Sequence, residues 1–206
     1  YKNGAQEGVV RSWYGNGQLN VCGNYKNGAP DGLHEQWNYY GGLHNRVNYK
    51  NGKLDGLWES WRGDGQLSFR SNFKENKLEG LWEEWYRNGQ QQLKVQFRQG
   101  KLDGEQLYWY PNGQMRTRKN CKVGKLDGLY EEWDRDGQLK VRGSYKNGVP
   151  NGLLERKNAN GTVTQRVYIE GVLESEKIVN GFINDKTIGL KKKITLKPKK
   201  KGGVML

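Results

Sequence analysis

Apolar and polar positions along this chain repeat with a fixed period. Tyr1, Tyr25, Tyr49, Phe73, Phe97 and Tyr145 each open a stretch of 24 residues, with Cys121 in the sixth place. Seven windows fit without an insertion, and an eighth copy, YIEGVLES, opens one residue early at Tyr168. Inside the windows, β-prone runs such as LWEEWY (81–86) and LKVRGSY (139–145) are separated by turn residues. Asn-Gly or Asp-Gly fills slots sixteen and seventeen in six windows: Asn16-Gly17, Asp64-Gly65, Asn88-Gly89, Asn112-Gly113, Asp136-Gly137 and Asn160-Gly161. The second window has Tyr40-Gly41 there. Asn-Gly recurs at slots three and four in Asn3-Gly4, Asn27-Gly28, Asn51-Gly52 and Asn147-Gly148. Two turns and two strands per period predict an antiparallel meander. Glycine about every twelve residues excludes long helices. Asn-Gly pairs supply the two positive φ angles of a type I′ turn, so slots sixteen and seventeen are expected to form that two-residue turn.

This turn fixes a register, in which slot eleven faces slot twenty-two. The facing pairs are Glu35–Arg46, Glu59–Arg70, Glu83–Lys94, Glu131–Arg142 and Glu155–Arg166, all of opposite charge, with Leu107–Arg118 and Arg11–Cys22 as exceptions. Opposite charges across strands favour pairing. Alternation then sorts the faces. One face is expected to carry Tyr25, Tyr49, Phe73, Leu54, Trp58, Leu67 and Phe69, and the other Leu57, Glu59, Trp61, Arg70 and Asn72. Trp13, Trp37, Trp61, Trp85, Trp109 and Trp133 are expected to stack as a ladder, each on its equivalent two strands away, roughly 10 Å along. The fold class is all-β: an elongated single-layer antiparallel meander of about eight 24-residue hairpins. The array covers residues 1–175, with windows starting at 1, 25, 49, 73, 97, 121, 145 and 168, and residues 176–206 form a degenerate last repeat and a Lys-rich tail. Apolar residues make up only 33% of the chain, yet eight Trp and twelve Tyr fall nearly all in register, as an ordered array requires.

The words YKNGKLDGLWESWRGDGQL and YRNGQQQLK resemble the MORN-repeat family, in its variant branch. The resemblance runs from residue 1 to about 175 and implies a twisted antiparallel sheet without catalytic residues. Relatives implied by it include protein-scaffolding and assembly modules, proteins credited with acidic-phospholipid contact, and bacterial proteins labelled as antitoxin components.

A search for catalytic chemistry finds little. His34 and His44 stand alone, with no CxxC and no HExxH, so no metal site is expected. Cys22 and Cys121 lie about four repeats apart, beyond disulfide reach, which fits a compartment without structural disulfides. No phosphate-binding Gly-rich loop occurs, and carboxylates recur once per repeat at Asp31, Asp55, Glu79, Asp103 and Asp127, the pattern of a structural column. An enzyme, a cofactor and a small-molecule substrate are not expected. No run of 18 apolar residues occurs, so no membrane-spanning helix is expected.

Charge is uneven. The formal net charge is +13, and from residue 186 onward there are eight Lys and no acid. The Lys-rich end, with Lys191, Lys192, Lys193, Lys197, Lys199, Lys200 and Lys201, is the candidate anionic-surface site, for acidic phospholipid or, with less support, nucleic acid. The densest aromatic run, Trp58, Trp61, Trp82, Trp85, Tyr86, Trp109 and Tyr110, is the candidate partner-binding site, because Trp and Tyr anchor protein interfaces. The function expected is a non-catalytic scaffold that binds another protein or itself, antitoxin-like or part of an assembly. The alternative is a peripheral module that docks on acidic lipid.

Overall fold

The computed structural model describes residues 4–181 and 183. They build one sheet of fifteen antiparallel strands in chain order. The strands are β1 (Gly8–Trp13), β2 (Leu19–Lys26), β3 (Ala29–Trp37), β4 (Leu43–Lys50), β5 (Lys53–Trp61), β6 (Leu67–Lys74), β7 (Lys77–Trp85) and β8 (Gln91–Arg98). They continue with β9 (Lys101–Trp109), β10 (Met115–Lys122), β11 (Lys125–Trp133), β12 (Leu139–Lys146), β13 (Val149–Lys157), β14 (Thr162–Ile169) and β15 (Val172–Asn180). No helix occurs among the described residues. At about 4.8 Å per strand, fourteen steps span about 67 Å. Residues 182 and 184–206, which include the Lys-rich tail, lie outside the described residues.

The two long edges of the sheet use different turns, and the type I′ turns lie at the edge opposite to the one expected. At slots three and four both residues have positive φ, as in Asn27 (50°) and Gly28 (80°) or Asn147 (52°) and Gly148 (90°). At slots sixteen and seventeen only the glycine does, for example Gly17 at 85°. There Gly17 N–H donates to the Tyr14 carbonyl (2.9 Å) and Tyr14 N–H to the Gln18 carbonyl (2.8 Å). That is a three-residue loop, a tight turn followed by a left-handed glycine.

A three-residue loop alone would shift the register by one. A β-bulge restores it: Ser12 pairs with Val21 and Trp13 with Leu19, leaving Asn20 without a partner. His44, Ser68, Gln92, Arg116 and Lys140 are left out in the same way. Hence Glu35, Glu59, Glu83 and Glu131 do face Arg46, Arg70, Lys94 and Arg142. The β13–β14 hairpin has no bulge. Glu155 therefore faces Gln165, whose Nε2 donates to it at 2.7 Å, and Arg166 turns to Glu176 at 2.5 Å, so the expected Glu155–Arg166 pair does not form. The missing bulge residue is also why the eighth copy opens one residue early.

The bulge moves Leu67 as well. It stands opposite Trp61, on the other face from Phe69, which faces Ser60. Each slot-thirteen Trp thus meets a slot-nineteen side chain on the next strand: Leu19, Leu43, Leu67, Gln91, Met115 or Leu139. Within each hairpin the slot-thirteen Trp therefore faces a slot-nineteen side chain, Leu in four of the six, and not another Trp.

The type I′ edge is tied together from repeat to repeat. The second turn residue donates its N–H two strands back, as Gly52 does to Pro30 (2.8 Å) and Gly148 to Leu126 (2.7 Å). The first donates its N–H to the repeated carboxylate column: Gln99 to Glu79 (2.7 Å), Val123 to Asp103 (3.3 Å) and Asn147 to Asp127 (3.1 Å). Flanking these turns, base faces base in four successive hairpins: Lys50–Lys53, Lys74–Lys77, Arg98–Lys101 and Lys122–Lys125.

Val123 occupies a turn slot at φ 49° with 56% exposure. A β-branched residue is strained there, and Asn is not. Val123→Asn is expected to stabilise the array by about 1 kcal/mol, read as a higher denaturation midpoint. Gly137, at φ 77°, would meet Gln114 Oε1 at 2.9 Å if given a Cβ. Gly137→Val is expected to lower the midpoint, by about 1–2 kcal/mol or more.

Candidate binding faces

The two faces of the sheet carry different chemistry. On the aromatic face the His34 ring lies between Tyr25 (4.9 Å) and Tyr49 (5.0 Å), and its Nε2 is 2.8 Å from the Asn24 carbonyl oxygen. The row continues through Trp58–Phe69 (5.4 Å), Phe69–Trp82 (4.7 Å) and Trp82–Phe97 (6.2 Å), and reappears at Tyr130–Tyr145 (5.8 Å). Edge-on and tilted contacts at these distances are the favoured aromatic geometries. The polar tips are mostly satisfied from two residues on. Trp82 Nε1 donates to Glu84 (2.8 Å) and the Tyr130 hydroxyl to Glu132 (3.0 Å). Gln106, fully buried at the same slot, bonds to the main chain of Gln96 and Gly104. Trp58 has Ser60 two residues on, and its Nε1 is buried without a partner. Trp58 also borders a groove of about 330 Å³ shared with Val21, His34, Asn45 and Tyr49.

The other face is held by charge. Glu83 sits between Arg70 (2.7 Å) and Lys94 (3.8 Å). Glu131, 1% exposed, sits between Arg118 (2.6 Å) and Arg142 (3.2 Å). Acid and base thus alternate from strand to strand, interrupted at Leu107, which lies between Lys94 and Arg118. The guanidinium groups of Arg46 and Arg70 lie over the rings of Trp61 and Trp85, each at 5.7 Å, so this face combines ion pairs with cation–π contacts.

The seven candidate partner residues do not form one patch. Trp58 and Trp82 belong to the aromatic face; Trp61, Trp85 and Trp109 belong to the charged face. Slots ten and thirteen are an odd number of residues apart, so alternation separates them. Tyr86 and Tyr110 lie at the loop edge, where their hydroxyls donate to the Trp109 (2.8 Å) and Trp133 (3.0 Å) carbonyls. Arg62 donates to the Trp85 carbonyl in the same way. The candidate lysines from Lys191 to Lys201 lie outside the described residues. Sequence reasoning passed over Tyr39 and Tyr40, which join Tyr14 in an edge-on cluster (5.5 and 5.8 Å) and are 52% and 91% exposed. The available signal was that Tyr40 replaces the usual Asn or Asp of the loop.

Among the described residues no group of three His, Cys, Asp or Glu is placed to hold a metal ion, and both cysteines are free thiols. Burial pushes the Cys121 thiol pKa up. The hairpin with its turn glycines and strand aromatics decides the comparison with known families. Four windows match the MORN repeat variant. The matched segments are residues 6–27, 78–99, 102–120 and 126–147. No curated protein matches the chain. MORN repeats are generally non-catalytic modules that bind proteins or membrane lipids. Between the matched windows, residues 28–77 keep the same strands, turns and bulges.

Glu131→Leu would leave Arg118 and Arg142 without the carboxylate they share, and is expected to cost about 3 kcal/mol in denaturant unfolding. Burial, with the hydrogen bond to Glu132, pushes the Tyr130 phenol from an ordinary 10.0 up to about 12. Its folded pKa is raised, so the stability it contributes is complete below pH 10 and is lost as pH rises from there through about 12. Alkaline unfolding of Tyr130→Phe is expected to lose this dependence.

Proposed function

We propose that the protein is a non-catalytic scaffold that binds another protein on its aromatic face. The observation that carries this reading is the row from Trp58 through Phe69 and Trp82 to Phe97 on a sheet over which the described residues place no second layer. Large aromatic side chains open to one side are the usual anchors of protein interfaces. Such a face serves a masked toxin, an assembly component or a second copy of the chain, and the antitoxin-like role stands as one of these. Trp58 and Trp82 are the proposed anchors. Trp61, Trp85 and Trp109 support them from the charged face, and Tyr86 and Tyr110 fix the loops at the end of the same strands.

The test separates the faces. Trp82→Ser and Trp85→Ser are each used to capture partners from the native source and are each run in sedimentation velocity, after circular dichroism confirms β structure. Trp82→Ser is expected to weaken capture or self-association at least tenfold, and Trp85→Ser to leave it within a few-fold. Equal binding by both folded variants and the parent would reject the aromatic face as the interface.

A further inference from the structure

We propose that the type I′ edge of the sheet is a rail for single-stranded nucleic acid, gripped through its phosphates. The four like-charge pairs described above flank successive turns, and all eight side chains are exposed. Like charges directly opposite one another oppose strand pairing. Where folding alone sets the choice, at slots eleven and twenty-two, this chain places acid against base. The basic pairs therefore need a use outside the fold.

Five acids share this stretch of edge with the eight bases: Asp55, the exposed turn residue Glu75, Glu79, Asp103 and Asp127. Glu79, Asp103 and Asp127 are half-buried and turned onto the turn N–H groups. Among the described residues only Lys74 of the eight is held in an ion pair, to Asp55 at 3.2 Å. The opposite, three-residue-loop edge is balanced, with Arg62, Arg87 and Arg135 against Asp64, Asp134 and Asp136. Along this stretch of edge the eight bases outnumber the five acids by three.

The form of that edge selects the ligand. Pairs recur about every 10 Å, and the first and last are six strand steps apart, about 29 Å. Sheets twist by about 20–25° per strand, so the rail turns through about 120–150° over that distance. A flat membrane meets one or two pairs of such an edge, and a stiff duplex does little better. A flexible phosphodiester chain follows all four. Its binding is independent of base sequence and steeply dependent on salt.

The test uses the full chain and a fluorescein-labelled oligothymidylate of about twelve nucleotides, followed by anisotropy from about 50 to 200 mM salt. The comparison is the quadruple variant Lys53→Gln, Lys77→Gln, Lys101→Gln, Lys125→Gln. It is expected to melt at or above the parent temperature, because repulsion is relieved. It is expected to bind at least tenfold more weakly, with a log–log salt slope shallower by about 2–3. Parent-like affinity and slope in the variant would overturn the rail and assign the binding to the Lys-rich C-terminal segment. A parent that prefers phosphatidylserine vesicles or duplex to the oligothymidylate, with the variant losing that binding instead, would overturn the proposal as well.

Discussion

A sheet one layer thick has no opposing layer to bury its side chains, and every other feature of this protein answers that constraint. Cover can come only from residues one and two strands away, at about 5 and 10 Å. Side chains therefore have to be large, in register and chemically matched along the strand stack. The sequence period supplies all three. Glu131 is 1% exposed and Gln106 fully buried in a sheet open on both sides, because neighbouring rungs close over them. Burying a carboxylate in this way is tolerable only with bases on both flanks, which is what Arg118 and Arg142 provide. The result is two cores of opposite kind back to back, one aromatic and one ionic.

Strand order and most of the face assignment were legible in the sequence because they depend on period and alternation alone; Leu67 was the exception, moved to the other face by the bulge. Turn type was not, for a definite reason. Asn-Gly satisfies a type I′ turn, where both residues need positive φ, and equally a three-residue loop, where only the glycine does. The better-populated Asn/Asp-Gly slots, sixteen and seventeen, use the second option. The true type I′ slots tolerate Glu75-Asn76 and Val123-Gly124. The register was still right in six hairpins because an extra loop residue and a bulge cancel. It failed at Glu155, where the bulge is missing and the cancellation stops. The one-residue slip at Tyr168 was the visible trace of that event.

The aromatic residues were located correctly but grouped too simply. Counting Trp and Tyr along the chain merges slots ten and thirteen, which the pleat sends to opposite sides. Trp58 shows what composition cannot reveal at all. Its equivalents Trp82 and Tyr130 are followed two residues later by Glu, and it is followed by Ser60, so only its own indole N–H is left unmatched. Four windows match the MORN repeat variant, a type of repeat that generally binds protein or membrane lipid, and the proposal of a protein partner rests on the face chemistry.

Strand order identical to chain order has a kinetic meaning. Every strand finds both of its neighbours within roughly a dozen residues of itself, so loop closure is short and uniform and no distant segment has to be recruited. For a β protein that is an unusual route: most pair strands far apart in sequence and fold slowly. Here each hairpin leaving the ribosome adds to the free strand of the one before it, and the order of synthesis is the order of assembly. A growing edge is present at every stage, so the same geometry that makes folding local also keeps an unpaired strand edge on offer as a template throughout assembly.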